Sequence, residues 1–277
     1  MPKGGQKMLD LMDITEQNYY SIEMNSIYMS STQLKMLVGS LGRPACEEHA
    51  LKVIRGEITD EPSQSMILGS YVDAYFSDNF QEFIKKHIED IYTKKGTKYA
   101  IYQKADKMIE RIEKDKLFME FMSGEHQKIF TAEMFGTNWK CKLDSYHKGK
   151  CIVDLKCVED IYKSFWVKDV GSMNFIEYWG YTTQLAIYQK IVELNTGEKL
   201  PCYICAIDKT EHPAIEIIQI PNEKLAQELS LIEYDVKHAL ALKSGEIEPT
   251  RCEKCSYCKD TRILTHPIML DELQGGI

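Results

Sequence analysis

The spacing of apolar residues changes along the chain from about every third or fourth position to every second and back again, which predicts helices, then strands, then a mixture. The first ~27 residues are polar and show no sustained period, so they are expected to form an extended or partly ordered arm. Ser30, Ser31 and Thr32 then cap a helix whose apolar side chains are Leu34, Met36, Leu37 and Val38. Gly42, Arg43 and Pro44 break it before Cys46, and residues 47–54 read as a second helix. Residues 66–76 continue in helical style, with Leu68, Val72 and Phe76 at intervals of four and Asp73 on an adjoining face. A long charge-rich helical region covers residues 79–122, interrupted near Lys95 and Gly96.

Strand character begins at residues 129–134, resumes at 139–146 and is strongest at 151–157. Helical spacing returns over 175–194. Residues 201–207 and 214–220 read as a strand pair, followed by a helix over 223–243. Strands set among helices predict an α/β fold with one central mixed sheet flanked by helices. The expected organisation is an arm (1–27), a main domain (28–250) and a cysteine-rich tail (251–277) that packs back on the domain.

At 277 residues and 44% hydrophobic content the chain can bury a full core. No run approaches the ~20 apolar residues of a membrane span, and Met1-Pro2-Lys3-Gly4-Gly5 lacks the layout of a secretory signal, so a cytoplasmic protein with no membrane partner is expected. The net charge of -8 argues against indiscriminate coating of nucleic acid. It does not exclude a DNA enzyme with a local basic groove, for which Lys85, Lys86, Lys94, Lys95, Lys98, Lys104 and Lys107 are candidates; a solvated helical face is the competing explanation. Nine cysteines, three of them crowded near the C-terminus, suit reduced thiols plus a metal site better than a disulfide framework.

The richest chemistry lies in Lys142-Leu143-Asp144, a polar turn over 147–150, and Cys151-Ile152-Val153-Asp154-Leu155-Lys156. Asp154 and Lys156 are two apart in a strand and share a face, and a hairpin turning at Gly149 would set Asp144 beside them. Two acids that can share a divalent cation, with an ammonium beside the water that the cation polarises, are the minimum set for phosphodiester hydrolysis. A surface salt bridge on an edge strand is the alternative. Charges placed between Val153 and Leu155, however, are costly unless they have a partner or a task. Tyr181, Gln184 and Tyr188 recur at helical intervals and share a face, either to hydrogen-bond such acids and DNA phosphates or as a tyrosine-rich core. Cys252, Cys255 and Cys258 have a spacing that suits a corner of a [4Fe–4S] cluster, with Cys46 as the candidate fourth ligand. A tetrahedral zinc site using Cys46 or His266, or free thiols, would explain them as well. Cys202 and Cys205, in a strand, read as core.

Asp144 with Asp154-Leu155-Lys156 fits the PD-(D/E)XK nuclease pattern, and Gln184-x-x-x-Tyr188 downstream resembles the RecB-type branch of that superfamily. In that branch a Gly-x-x-x-His segment supplies a metal-binding histidine; Gly69-Ser70-Tyr71-Val72-Asp73 has an aspartate there, which keeps an oxygen ligand for a hard ion. Glu133 matches an acidic position frequent in the branch. From Asn18-Tyr19-Tyr20 and Tyr28-Met29-Ser30 to the cysteine tail, the chain resembles phage- and prophage-encoded exonucleases of the RecE type. The resemblance implies a PD-(D/E)XK fold and an exonuclease that uses Mg²⁺ or Mn²⁺ to resect one strand of double-stranded DNA, 5′ to 3′, from its ends. It further implies a single-strand-annealing recombinase as partner and a homo-oligomeric ring. The ion would be held by Asp73, Asp144, Asp154 and the carbonyl of Leu155, with Lys156 acting on the water and Gln184 and Tyr188 positioning the scissile strand. Related nucleases clamp an iron–sulfur cluster with one cysteine before the core and three after, the order of Cys46 and Cys252, Cys255, Cys258 here, although the gap between Cys255 and Cys258 is shorter than theirs. A catalytically inert DNA-binding or recombinase-partner module and a CRISPR-adaptation nuclease are the alternative functions.

Overall fold

The protein is described over residues 13–270 by a computed structural model; residues 1–12 of the expected arm and 271–277 of the expected tail lie outside the described residues. Ser21 accepts the Met24 N–H and so caps α1 (Ile22–Ile27), which runs into the short strand β1 (Tyr28–Met29). Ser30 caps α2 (Ser31–Val38) in the same way through the Gln33 N–H. There follow α3 (Glu47–Ile54), α4 (Gln64–Phe76), α5 (Phe80–Lys86), α6 (Ile88–Ile91), α7 (Ala100–Glu113) and α8 (Lys116–Phe121). The central strands β2 (Glu125–Met134), β3 (Thr137–His147) and β4 (Cys151–Val158) come next, then a small hairpin of β5 (Phe165–Val167) and β6 (Gly171–Met173). The chain ends with α9 (Phe175–Tyr178), α10 (Tyr181–Thr196), β7 (Cys202–Asp208), β8 (Ile215–Ile220), α11 (Asn222–Ser244) and α12 (Ser256–Asp260).

The main sheet is mixed, in the order β1-β3-β4-β7-β8, with β2 also on β3. One edge of β3 pairs antiparallel with β2 along its length. Its other edge is shared: β1 runs parallel to it at Asn138 and Trp139, and β4 pairs antiparallel with it only at Ser145, Tyr146 and His147. Between those contacts β3 and β4 fork apart. Beyond the fork β4 pairs parallel with β7 from Ile152 to Val158, a geometry that requires a crossover, supplied here by α9 and α10.

Alternation along the strands divides the core between the two faces of the sheet. Trp139, Cys141, Leu143, Ile152, Cys202 and Ile204 face α2, α3, α10 and α11, whereas Val153, Leu155, Cys205 and Ile207 face α4, α7 and α8. Cys202 and Cys205, three apart, thus sit in opposite cores.

Two expectations change. Within the expected arm, residues 22–27 are helical, and Tyr19 and Met24 are buried; Tyr28 and Met29, at the start of the expected domain, are buried as strand β1. Those anchors are irregularly spaced, which hid them from a periodicity reading. The helix expected over 175–194 is broken at Gly180, whose left-handed backbone (φ +62°) ends α9 and lets α10 start in a new direction.

Candidate active site

The site forms where β3 and β4 part. With the ladder broken beyond Ser145 and Val153, the Leu155 N–H finds a side chain instead of a backbone carbonyl: it donates to Asp144 Oδ2 at 2.8 Å. In a strand the N–H and C=O of one residue leave on the same edge, so the Leu155 carbonyl also opens into the fork. The inward alternation of Trp139, Cys141 and Leu143 resumes at Tyr146 rather than Ser145, and Asp144 lies within that slip. The hairpin through Gly149 (φ +68°) brings Asp144 to Asp154 as the sequence led one to expect.

Asp154 and Lys156 point together toward α10. Lys156 Nζ lies 2.5 Å from Asp154 Oδ2 and 4.9 Å from the centre of the Tyr181 ring. Gln184 Nε2 donates to Asp154 Oδ1 at 2.7 Å, and the Tyr188 hydroxyl accepts from the same amide at 3.2 Å. Asp154 is 2% exposed, and its Oδ2, ion-paired but lacking a well-directed hydrogen bond, is the only buried side-chain polar atom among the described residues in that condition. A buried carboxylate oxygen with spare lone pairs fits a cation ligand. Asp73, on α4, approaches from the other side, with Gln127 Nε2 at 3.5 Å from both its oxygens.

The electrostatics couple these groups. Burial, then the charges of Asp154 and Asp73, push the Asp144 carboxyl well above its ordinary pKa, against the opposing Lys156 ammonium. Asp73 is raised by burial and by Asp154, although Lys142 and Lys156 pull the other way. Burial disfavours the Lys156 ammonium, but Asp154 and Asp144 outweigh it and hold its pKa above the usual lysine value. Three acids crowded where they repel one another form a set that a hard divalent ion would relieve. Asp73, Asp144 and Asp154 are not gathered as tightly as the cysteine group described below; the Lys156 and Leu155 contacts hold oxygens of the two strand acids.

Lys35, on α2, escaped the sequence reading. Its Nζ stands 3.5 Å from Gln184 Oε1 and 5.5 Å from the Tyr181 ring centre, and burial together with the Lys156 charge lowers its pKa to about 8. Lysine on an amphipathic helix reads as solvated, and only the packing of α2 against α10 brings it inward. Glu133 is exposed on β2 opposite Asn138, outside this cluster. Of the candidate groove lysines, Lys98 is bound to Asp106 at 2.7 Å and to the Tyr71 hydroxyl at 2.8 Å, and the other six are exposed.

Cys46, Cys252, Cys255 and Cys258 converge at the start of α3, where Cys46 is the N-cap residue, with all four sulfurs within 4.8 Å of one another. His266 is exposed and bonded to Thr265, outside the group.

The sequence profile of a family described as a PDDEXK-like domain of unknown function (DUF3799) matches residues 30–261. The crystal structure of a "putative exonuclease" from Eubacterium rectale is similar over 96% of this chain and 100% of that chain, with a TM-score of 0.92 and 43% sequence identity. No curated protein matches.

Proposed function

The chain belongs to the PDDEXK-like family DUF3799, and from that premise we propose that it is a metal-dependent exodeoxyribonuclease acting on the ends of double-stranded DNA. The observation that carries this reading is the convergence of Asp144, Asp154 and Lys156 at the β3–β4 fork under Gln184, with a buried Asp154 oxygen still able to accept a ligand. The name of the Eubacterium rectale relative supports it.

Asp73, Asp144, Asp154 and the Leu155 carbonyl would be the oxygen donors for Mg²⁺ or Mn²⁺. When bound, such an ion acidifies a water and offsets charge building on the phosphate oxygens. Gln184 holds Asp154 by Oδ1, while Lys156 pairs with Oδ2. Lys156, kept as an ammonium by its neighbours, orients the attacking water and places positive charge beside the phosphate. Tyr188 fixes the Gln184 amide, and Lys35 adds a second cation on the α10 side, suited to the phosphate of the scissile strand. None of these groups reads base edges, so selection would rest on DNA ends and shape. The 5′-to-3′ polarity, the recombinase partner and a ring-shaped oligomer follow from the RecE-type resemblance; duplexes labelled at one end test the first.

Digestion of linear duplex DNA with and without Mg²⁺ or Mn²⁺ is the central test. Metal-dependent release of nucleotides, lost in both Lys156→Ala and Asp154→Ala, is the expected result. Full activity in those variants would remove the site assignment, and no activity with any divalent ion would point to an inert DNA-binding module.

A further inference from the structure

The four-cysteine group is distant in sequence yet closely gathered: Cys46 and Cys258 are 212 positions apart, and their sulfurs stand 3.5 Å from each other. Cys252 and Cys258 sulfurs are 3.9 Å apart, and the whole set falls within 4.8 Å. Four thiolates around one tetrahedral zinc at Zn–S ≈ 2.3 Å are separated by about 3.8 Å. In a [4Fe–4S] cluster each thiolate takes a different iron, so the cube itself lies between the sulfurs and spreads them to roughly 6 Å. The observed spacing fits the first arrangement and is too tight for the second.

The local backbone agrees. The Cys255 N–H points at Cys252 Sγ (3.3 Å), the Lys254 N–H at the same sulfur (3.5 Å), and the Cys258 N–H at Cys255 Sγ (3.4 Å). These contacts wrap the Cys252–Cys255 turn and the first turn of α12 around a single centre, with Glu253 in a left-handed conformation (φ +55°) to close the turn. The iron–sulfur cluster implied by the family resemblance therefore does not fit these residues.

We propose that Cys46, Cys252, Cys255 and Cys258 bind one zinc ion in a closed tetrahedral site that clasps the tail to the start of α3. Four protein sulfurs leave no position for substrate, so the ion is structural. It reinforces contacts already joining the same segments: Arg251 with Glu48 at 3.2 Å, Tyr257 Oη donating to Glu48 at 2.6 Å, and Thr250 donating its N–H and hydroxyl to Glu47 at 2.7 and 2.8 Å. Because Cys46 ends the connection from α2, the clasp also secures the segment that follows Lys35.

Intact protein, purified anaerobically from cells supplied with both iron and zinc, tests this independently of nuclease activity. Elemental and sulfide analysis should give one zinc per chain, no acid-labile sulfide and no colour, and titration with a mercurial should release that zinc as the thiols are blocked. Exchange with Co²⁺ should produce the strong visible absorption of a tetrahedral tetrathiolate complex. Cys255→Ser should lose zinc, whereas Cys151→Ser, altered outside the group, should keep one equivalent. Iron with matching acid-labile sulfide would overturn the proposal, as would protein that binds no metal under any of these conditions.

Discussion

Lys140 offers a quantitative check on how the N-terminal segment is held beside the active site. The residue is 1% exposed on β3; its ammonium donates to the Tyr19 carbonyl and, at 2.8 Å, to Asn25 Oδ1, and it lies 4.6 Å from the Tyr19 ring centre. No carboxylate pairs with it among the described residues. Burial, then the nearby Lys243 ammonium, lowers its pKa from 10.5 to about 8. Each pKa unit is worth about 1.4 kcal/mol, so below pH 8 the buried charge costs the fold about 3 kcal/mol. Between pH 8 and 10.5 the unfolded chain keeps a proton that the folded chain has released, and stability therefore rises with pH. Lys140→Met removes this charge but leaves the Tyr19 carbonyl without its donor, at about 1–3 kcal/mol; Asn25 Oδ1 keeps Gln33 Nε2 at 3.2 Å. At pH 7 the two effects nearly offset. The difference between wild type and Lys140→Met should then shift toward wild type by about 2 kcal/mol from pH 8 to 9.5. Urea unfolding of both proteins at half-unit pH steps measures it. A difference that stays flat from pH 7 to 9.5 would refute the buried, unpaired ammonium.

A methyl group on Gly124 would sit 2.6 Å from Ser145 Oγ and 2.8 Å from the Tyr146 carbonyl, backbone that cannot yield, so Gly124→Ala should destabilise by about 1–3 kcal/mol in urea unfolding and disturb Asp144 next door. Gln184→Met removes the hydrogen bond to Asp154 Oδ1; a charge-assisted bond of about 1.5–3 kcal/mol corresponds to about a 10- to 100-fold lower kcat, read in a steady-state nuclease assay at saturating metal. Lys35→Met should raise KM for duplex DNA by about 10-fold with the circular dichroism spectrum unchanged, the worth of one phosphate contact, and Lys35→Arg should recover part of it. An unchanged KM would remove Lys35 from the DNA-binding groups.

The legible part of the site was the part written within one strand. A period of two puts Asp154 and Lys156 on the same face wherever β4 lies, and a glycine turn sets Asp144 opposite them, so the hairpin could be read without tertiary information. Gln184 and Tyr188 likewise share a helix face at any docking angle. Lys35 could not be found in this way, since its position depends on how α2 packs against α10. The β5–β6 hairpin has strands of only three residues, too short to show alternation. For the cysteines, spacing along the chain proposed the ligands but left an iron–sulfur cluster, zinc and free thiols open; the zinc proposal rests on sulfur separation in space, which the sequence does not give.

The crossover between β4 and β7 bears on when this protein can become active. A nascent chain on the ribosome produces Asp144, Asp154 and Lys156 first, but the far edge of β4 lacks its parallel neighbour until residues 202–208 have followed. The segment that must fold to deliver that neighbour is the one that carries Gln184. The parallel neighbour of β4 and the Gln184 amide over Asp154 thus arrive on one continuous crossover, and a chain that stops short of residue 202 has the acids but not the strand that supports them.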